Sequence, residues 1–182
     1  GLKRYNERSP ARAQRLCVHF FGTSYVAPGE GKCSVTPIAT ACGVADQVEE
    51  IPHRLGHLEC LHLQGQADIL LLAGSSDLAY SPSKVFPYYL TGRPILGLVF
   101  KDSVLEKLLD ELACAYLVRC SPDGPPEPAH AALGHFFDHA CDGFPATSRP
   151  PRNDAPFNAH YLADTLTRQQ GELFARALAA PA

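Results

Sequence analysis

No stretch of this 182-residue chain approaches the roughly 18 consecutive apolar residues of a membrane-spanning helix. It also lacks a charge excess of either sign. A net charge of −3 argues against attachment to nucleic acid or to a membrane surface through bulk electrostatics. The opening GLKRYNERSPARAQR is polar and has none of the apolar core of a signal peptide, so a cytoplasmic location is expected and no integral membrane segment. Seven cysteines occur without a CxxC pair, an odd number that reads as small buried hydrophobes in a reducing compartment. Methionine is missing even from position 1, and the chain is expected to be part of a longer one. There is no internal repeat and no low-complexity tract. With 46% hydrophobic and 19% charged residues the chain is globular and long enough to bury a full core.

Strand and helix patterns alternate along it. RLCVHFFGT (15–23) is a near-continuous apolar run ending in Gly22-Thr23, the signature of a strand buried on both faces. TPIATACG (36–43) reads as a helix with Thr36 as N-cap, Pro37 in the first turn and Gly43 as terminator. A short strand at 46–51 and an amphipathic helix at 53–66, with Leu55, Leu58 and Leu61, follow. ADILLLAGSS (67–76) is the clearest strand, and RPILGLVF (93–100) and CAYLVRC (114–120) are two more. Asp102 or Ser103 starts a helix through Leu112, and another helix is predicted over 129–143. A polar, Pro-rich connector spans 144–157 and a long amphipathic helix runs from about 158 to 179. Residues 1–14 read as a polar linker and 15–178 as a single domain. The expected class is α/β: a Rossmann-like parallel sheet flanked by helices, closed by a long C-terminal helix.

In such sheets ligands bind beyond the carboxyl ends of the strands. Gly22-Thr23, the turn at 50–53 and Gly74-Ser75-Ser76 are three such ends. SPSKVFPYYLTGRPIL (81–96) adds a fourth feature. Ser81 is a candidate N-cap and Pro82 suits a first helical position, while Gly92 and Pro94 end the helix. Lys84 is out of place there, because a cation in the first turn opposes the helix dipole. It makes sense if an anion docks at that terminus, and a phosphate is the natural one.

The stretch ADILLLAGSSDLAYSPSKVFPYYLTGRPIL (67–96), preceded by a strand ending in Gly-Thr, resembles the donor-binding half of GT-B glycosyltransferases. LADTLTRQQGELFARAL (162–178) is similar to the C-terminal helix of one bacterial branch of that family. The resemblance implies transfer of a sugar from a nucleotide diphosphate sugar to an acceptor. It places the diphosphate on Ser83, Lys84, Gly22 and Thr23, and the nucleobase near Ile51 and His53. The positions of two family glutamates fall on Ala79 and Pro87, which cannot accept a side-chain hydrogen bond. Ribose and sugar recognition is therefore expected from Ser76, Asp77 or Tyr80, and retention versus inversion is left open. Backbone donors and Lys84 can stabilise the leaving diphosphate, so neither a metal nor another cofactor is expected. The implied partners are the nucleotide sugar and an N-terminal acceptor domain outside this sequence; without that domain no transfer is expected. The apolar face of the last helix (Leu162, Leu166, Leu173, Phe174, Leu178) leaves a homo-oligomer open.

Two other classes stay in view: a sugar-nucleotide epimerase of the same fold, and a non-catalytic α/β regulatory or interaction module. An epimerase should cluster carboxylates at strand ends, where only Asp77 is firmly placed. A receiver-like module needs an acidic cluster after its first strand, where this chain has Gly22-Thr23-Ser24. His53 and His57 have the i, i+4 spacing of a metal pair, but no third ligand completes a motif, and surface or capping roles are the default. Cys60, Cys114, Cys120 and Cys141 have no base placed beside them in sequence and read as core residues.

Overall fold

The computed structural model describes residues 1–24, 26, 29–121, 124, 126–143 and 152–179. It is an α/β structure with parallel strands in two separate ladders rather than one sheet. The chain divides into two compact units, Gly1–Asp68 with Val118–Arg149 and Ile69–Leu117 with Pro150–Ala182.

The first unit opens with α1 (Leu2–Arg8) and α2 (Pro10–Ala13). Residues 1–14 are thus helical, not a linker. Tyr5 is the reason: only 2% of it is exposed, and with Ala13 it packs on Cys141, Leu16 and Phe137. Its hydroxyl donates to Asp138 at 2.9 Å. Strand β1 (Val18–Phe21), helix α3 (Thr36–Ala41), a single 3-10 turn (Ala45–Gln47) and β2 (Val48–Ile51) form a βαβ unit. Its strands pair in parallel from Val18↔Val48 to Phe21↔Ile51. Thr36 is the first helical residue of α3, and Val35 takes the N-cap position in its place. Gly43 closes the helix with φ +69°, a conformation that glycine adopts without strain.

Helix α4 (His57–Gln66) starts four residues later than its pattern predicts, and it buries no residue. Leu58 and Leu61 are exposed, so the expected amphipathic packing is absent. The seventh helix in chain order, α7 (Glu127–Cys141), also belongs to this unit.

In the second unit β3 (Leu70–Ala73), β4 (Ile95–Phe100) and β5 (Ala115–Cys120) form a sheet in the order β3-β4-β5. β5 runs past the division between the units at Leu117. β3 and β4 are parallel, with Leu70 opposite Ile95 and Ala73 opposite Leu98. Gly97 in β4 has a packing role. A Cβ there would lie 2.9 Å from Leu117 Cδ2 and 3.0 Å from Leu109 Cδ1. Helix α5 (Val85–Thr91) ends at Gly92, φ +67°, as its sequence predicts. It begins at Val85 with Lys84 as N-cap, so Ser81 and Pro82 lie before it and do not cap it. Helix α6 (Val104–Leu112) is capped by Ser103, with Glu106 reaching back to the residue before the cap. Ser103 Oγ accepts from the Glu106 N–H at 3.1 Å, and Glu106 Oε2 accepts from the Asp102 N–H at 2.6 Å. Leu105, Leu109 and Leu112 then face the core.

Helix α8 (Asp154–His160) lies where the sequence predicts a connector and the start of the last helix. Tertiary contacts explain it: Phe157 is buried and stacks on Tyr89 with ring centres 4.1 Å apart. The Asn153 N–H donates to the Leu112 carbonyl at 2.9 Å. The long final helix is accordingly broken at Tyr161–Leu162, and α9 (Ala163–Ala179) buries none of its residues. Positions 144–151 of the predicted connector and much of the Pro-rich loop after Cys120 lie outside the described residues. Among the described residues no helix is long and apolar enough to cross a membrane.

Candidate functional site

The predicted site residues fall on the carboxyl edges of both ladders. In the first unit β1 ends at Gly22, whose φ of +68° turns the chain. The Gly22 N–H donates to the Ile51 carbonyl at 2.9 Å, and the Ser24 N–H donates to the Pro52 carbonyl at 2.8 Å. A Cβ on Gly22 would approach the His53 carbonyl oxygen to 4.0 Å. Gly22, Thr23, Ile51 and His53 are therefore brought together at one edge, through backbone contacts.

The centre of that edge is Glu50, the first residue of the 50–53 turn, in a role that its place in the turn does not suggest. Its Oε1 accepts from Thr23 Oγ1 at 2.6 Å, from the Ser34 N–H at 2.8 Å and from Ser34 Oγ at 3.3 Å. Its Oε2 accepts from the N–H groups of Val35 at 3.0 Å and Thr36 at 2.8 Å, and from Thr36 Oγ1 at 2.9 Å. Partial burial works to raise the carboxyl, yet the donors from Thr23, Thr36 and Ser34 hold it far below the usual carboxylate range. Glu50 is thus an anion held at the start of α3, where free N–H groups and the dipole favour one. The sequence signal was faint: an acidic residue at a strand end, opposite a Ser-Val-Thr-Pro helix start. One consequence bears on Thr23. Its single hydroxyl proton is committed to Glu50, so an incoming anion would meet the oxygen of that side chain and not its donor.

In the second unit the loop after β3 carries the other candidates. Gly74 is required by close backbone approach, since a Cβ there would sit 2.9 Å from the Leu98 carbonyl oxygen. Ser75 Oγ accepts from the Asp77 N–H at 3.1 Å, and Asp77 Oδ1 accepts from the Ala79 N–H at 3.0 Å. The Tyr80 N–H donates to the Asp77 carbonyl at 3.1 Å. The Val104 N–H donates to the Leu78 carbonyl at 2.8 Å, which ties the loop to the start of α6. Ser76, Asp77, Tyr80, Ser83 and Lys84 are all exposed along this one loop, with Pro82 buried beneath it. Nearby, Ser81, Phe86, Val104, Lys107, Glu111 and Tyr161 line a cavity of about 260 Å³. The Phe86 and Tyr161 rings form part of its wall, 4.9 Å between centres. Burial, then the Glu111 charge, raises the Tyr161 hydroxyl above its ordinary range, so it stays protonated.

The histidine pair does not form. α4 begins at His57, which leaves His53 in the preceding turn and removes the one-face geometry of an i, i+4 pair. Among the described residues no three His, Cys, Asp or Glu side chains gather where a metal ion could be held. No protein-family model matches this chain, and no curated protein matches it in sequence.

Proposed function

We propose that the chain binds a nucleotide diphosphate sugar as the donor-binding part of a GT-B glycosyltransferase, with the acceptor held by a further domain. The observation that carries this reading is the loop from Gly74 to Lys84. It leaves the carboxyl end of a parallel strand, exposes Ser76, Asp77 and Ser83, and ends with Lys84 at the N-cap of α5. A lysine there opposes the helix dipole, and a bound diphosphate would offset both positive charges. The roles follow from donor chemistry. Ser83 and Lys84 hold the diphosphate, whose negative charge grows as the bond from the anomeric carbon to the phosphate oxygen breaks. Ser76, Asp77 and Tyr80 take the ribose or the sugar. The uncovered Leu166, Leu173 and Phe174 of α9 fit a chain that packs on something more, the acceptor domain in this reading.

The test is a thermal-shift series with UDP, GDP, ADP, TDP and CMP derivatives, since a ligand that binds only the folded chain raises its melting temperature. One diphosphate should stand out, and its binding should survive EDTA. Lys84→Ala should weaken that binding by about 1.5–3 kcal/mol, as for a charge-assisted bond, while leaving the fold intact. A panel in which no diphosphate raises the melting temperature overturns the reading. Abolition by EDTA with rescue by Mg²⁺ overturns its metal-free chemistry.

A further inference from the structure

We propose that the cavity between α5, α6 and the end of α8 binds a small zwitterion that carries an aromatic ring, a free aromatic amino acid being the simplest such molecule. The site lies wholly within the second unit. It stands apart from the donor reading, since Ser81 is the one lining residue that belongs to the Gly74–Lys84 loop.

The pattern of α6 builds one side of the cavity. Leu105, Leu109 and Leu112 face the core, which leaves Val104, Lys107, Leu108 and Glu111 on a neighbouring stripe at i, i+3, i+4 and i+7. Leu108 is buried there, while Val104 stays 44% exposed. The other side is aromatic. Phe86 of α5 and Tyr161 at the C-cap of α8 hold their rings 4.9 Å apart, tilted by 34°. Tyr161 is well anchored. Its N–H donates to the Phe157 carbonyl at 2.9 Å, and Phe157 stacks on Tyr89. At the head of α8, Asn153 Nδ2 donates to the Glu111 carbonyl at 3.2 Å. The lining therefore stands mainly on helices that are fixed to one another.

Size and lining together select the ligand. At about 260 Å³ the cavity falls just below the roughly 300–1,000 Å³ of sites for drug-sized molecules, so its occupant is small. A ring entering it meets Phe86, Tyr161, Val104 and Leu108, and burial against them is favourable. The two charges set the rest. Lys107 and Glu111 stand at i, i+4 in the less favourable order for a helical pair, with the cation nearer the N-terminus. Among the described residues neither takes part in a salt bridge. An aryl carboxylate would be drawn to Lys107 and repelled by Glu111, and an aryl amine the reverse. A ligand bearing both an ammonium and a carboxylate is matched at both positions. The Tyr161 hydroxyl, kept protonated by burial and then by the Glu111 charge, adds a donor for the carboxylate, and Ser81 adds another.

The test follows backbone amide signals of the chain by NMR during titration with L-phenylalanine, phenylacetate, 2-phenylethylamine and glycine. L-Phenylalanine should give saturable shifts at Ser81, Phe86, Lys107, Glu111 and Tyr161. Phenylacetate and 2-phenylethylamine each lack one charge and should bind about fivefold more weakly. Glycine keeps both charges without the ring and should bind at least about tenfold more weakly. Lys107→Gln and Glu111→Gln alter exposed side chains outside the core, so each should weaken L-phenylalanine by about fivefold and leave the melting temperature unchanged. Val104→Phe places a ring in the cavity and should abolish the shifts.

The proposal is overturned if L-phenylalanine gives no saturable shift at those amides up to about 20 mM, well above a millimolar dissociation constant. It is equally overturned if either single-charge analogue binds as tightly as L-phenylalanine, or if either glutamine variant keeps full affinity. If Val104→Phe disturbs the fold, the two glutamine variants decide by the same criteria. The nucleotide series is independent of this one. A chain that binds no diphosphate but gives this pattern upholds the cavity site, and one that binds a diphosphate without giving it does not.

Discussion

In the second unit, β4 and α6 bury Ile95, Val99, Leu105, Leu109 and Leu112 to 1% exposure or less, and the polar groups near them serve mainly to cap helices. Among the described residues the first unit buries fewer side chains, Tyr5, Ala13, Ala39, Val44, Phe136 and Cys141 among them, and it ties its segments with polar links. Tyr5 and Arg8 both reach Asp138, Asn6 donates to Gln47 at 2.6 Å, and Glu50 clamps the strand edge. Apolar burial is non-directional and is not screened by ions, whereas ionic and hydrogen-bonded links depend on protonation and geometry. One unit is thus held mainly by buried area and the other by specific contacts. Changes that disturb packing and changes that disturb charge should therefore act on different units.

The largest effect should come from the apolar side. Leu112→Ala removes a fully buried side chain and leaves a cavity, at a cost of about 2–5 kcal/mol. Urea unfolding would measure it, and the loss should be the same at low and high salt. A salt-dependent loss would break the contrast between the units.

Charge should be the weak point of the first unit. The Glu50 carboxyl lies well below its unfolded value despite its partial burial, and that of Asp138, also pushed up by burial, is lowered by Tyr5 and Arg8. A depressed carboxyl contributes stability that is fully present above the unfolded value near 4.5 and is lost as pH falls toward the folded one. The gap in stability between the unaltered chain and Glu50→Gln should thus be widest at neutral pH and narrow progressively below about pH 4.5. A gap that stays constant down to pH 3 would show that Glu50 acts by shape alone. A smaller effect is expected at Asp138. Tyr5→Phe removes the hydroxyl donor at 2.9 Å and should cost about 1 kcal/mol, since solvent can reach the half-buried carboxylate it leaves.

The same contrast governs what could be read from sequence. The apolar runs of β3 and β4 and the cap at Ser103 were legible because each is a local pattern. The turns at Gly43 and Gly92 were legible because a left-handed residue favours glycine. Helix α1 was not, because its anchor Tyr5 depends on α7, which lies far along the chain. Helix α8 was not, because Phe157 and Tyr89 find each other only in three dimensions. At the candidate site, the Ser76–Lys84 loop could be found from its composition. The role of Glu50 could not, since five of its six donors come from Ser34, Val35 and Thr36, a segment whose meeting with β2 no spacing encodes.

The finest test uses two cysteines as reporters, one in each unit. Cys114, 6% exposed, sits in the second unit, and burial pushes its thiol up to about 11 against a slight opposing pull from its own backbone and Arg152. Cys141, 5% exposed, lies against Tyr5 and Ala13 in the first unit, where its Sγ donates to the Arg12 carbonyl at 3.4 Å. The thiolate is the reactive form and must be reached by solvent, so neither should be alkylated at pH 8 until its own unit opens. Exposed Cys17, Cys33 and Cys42 should label first and serve as the internal standard. Cys141 should follow, because the first unit has less apolar area to lose on opening. Raising salt to about 1 M should hasten Cys141 by screening the Arg8, Arg12 and Asp138 cluster and leave Cys114 unmoved. Above pH 9 the order should tighten. The folded state prefers the neutral Cys114 thiol, so that part of the second unit's stability is present below the ordinary 9.0 and is lost as pH rises toward about 11. Peptide-resolved mass spectrometry of iodoacetamide adducts would read both rates in one sample. Identical rates for Cys114 and Cys141 under every salt condition would mean that the two units open as one, and the contrast between them would have no energetic meaning.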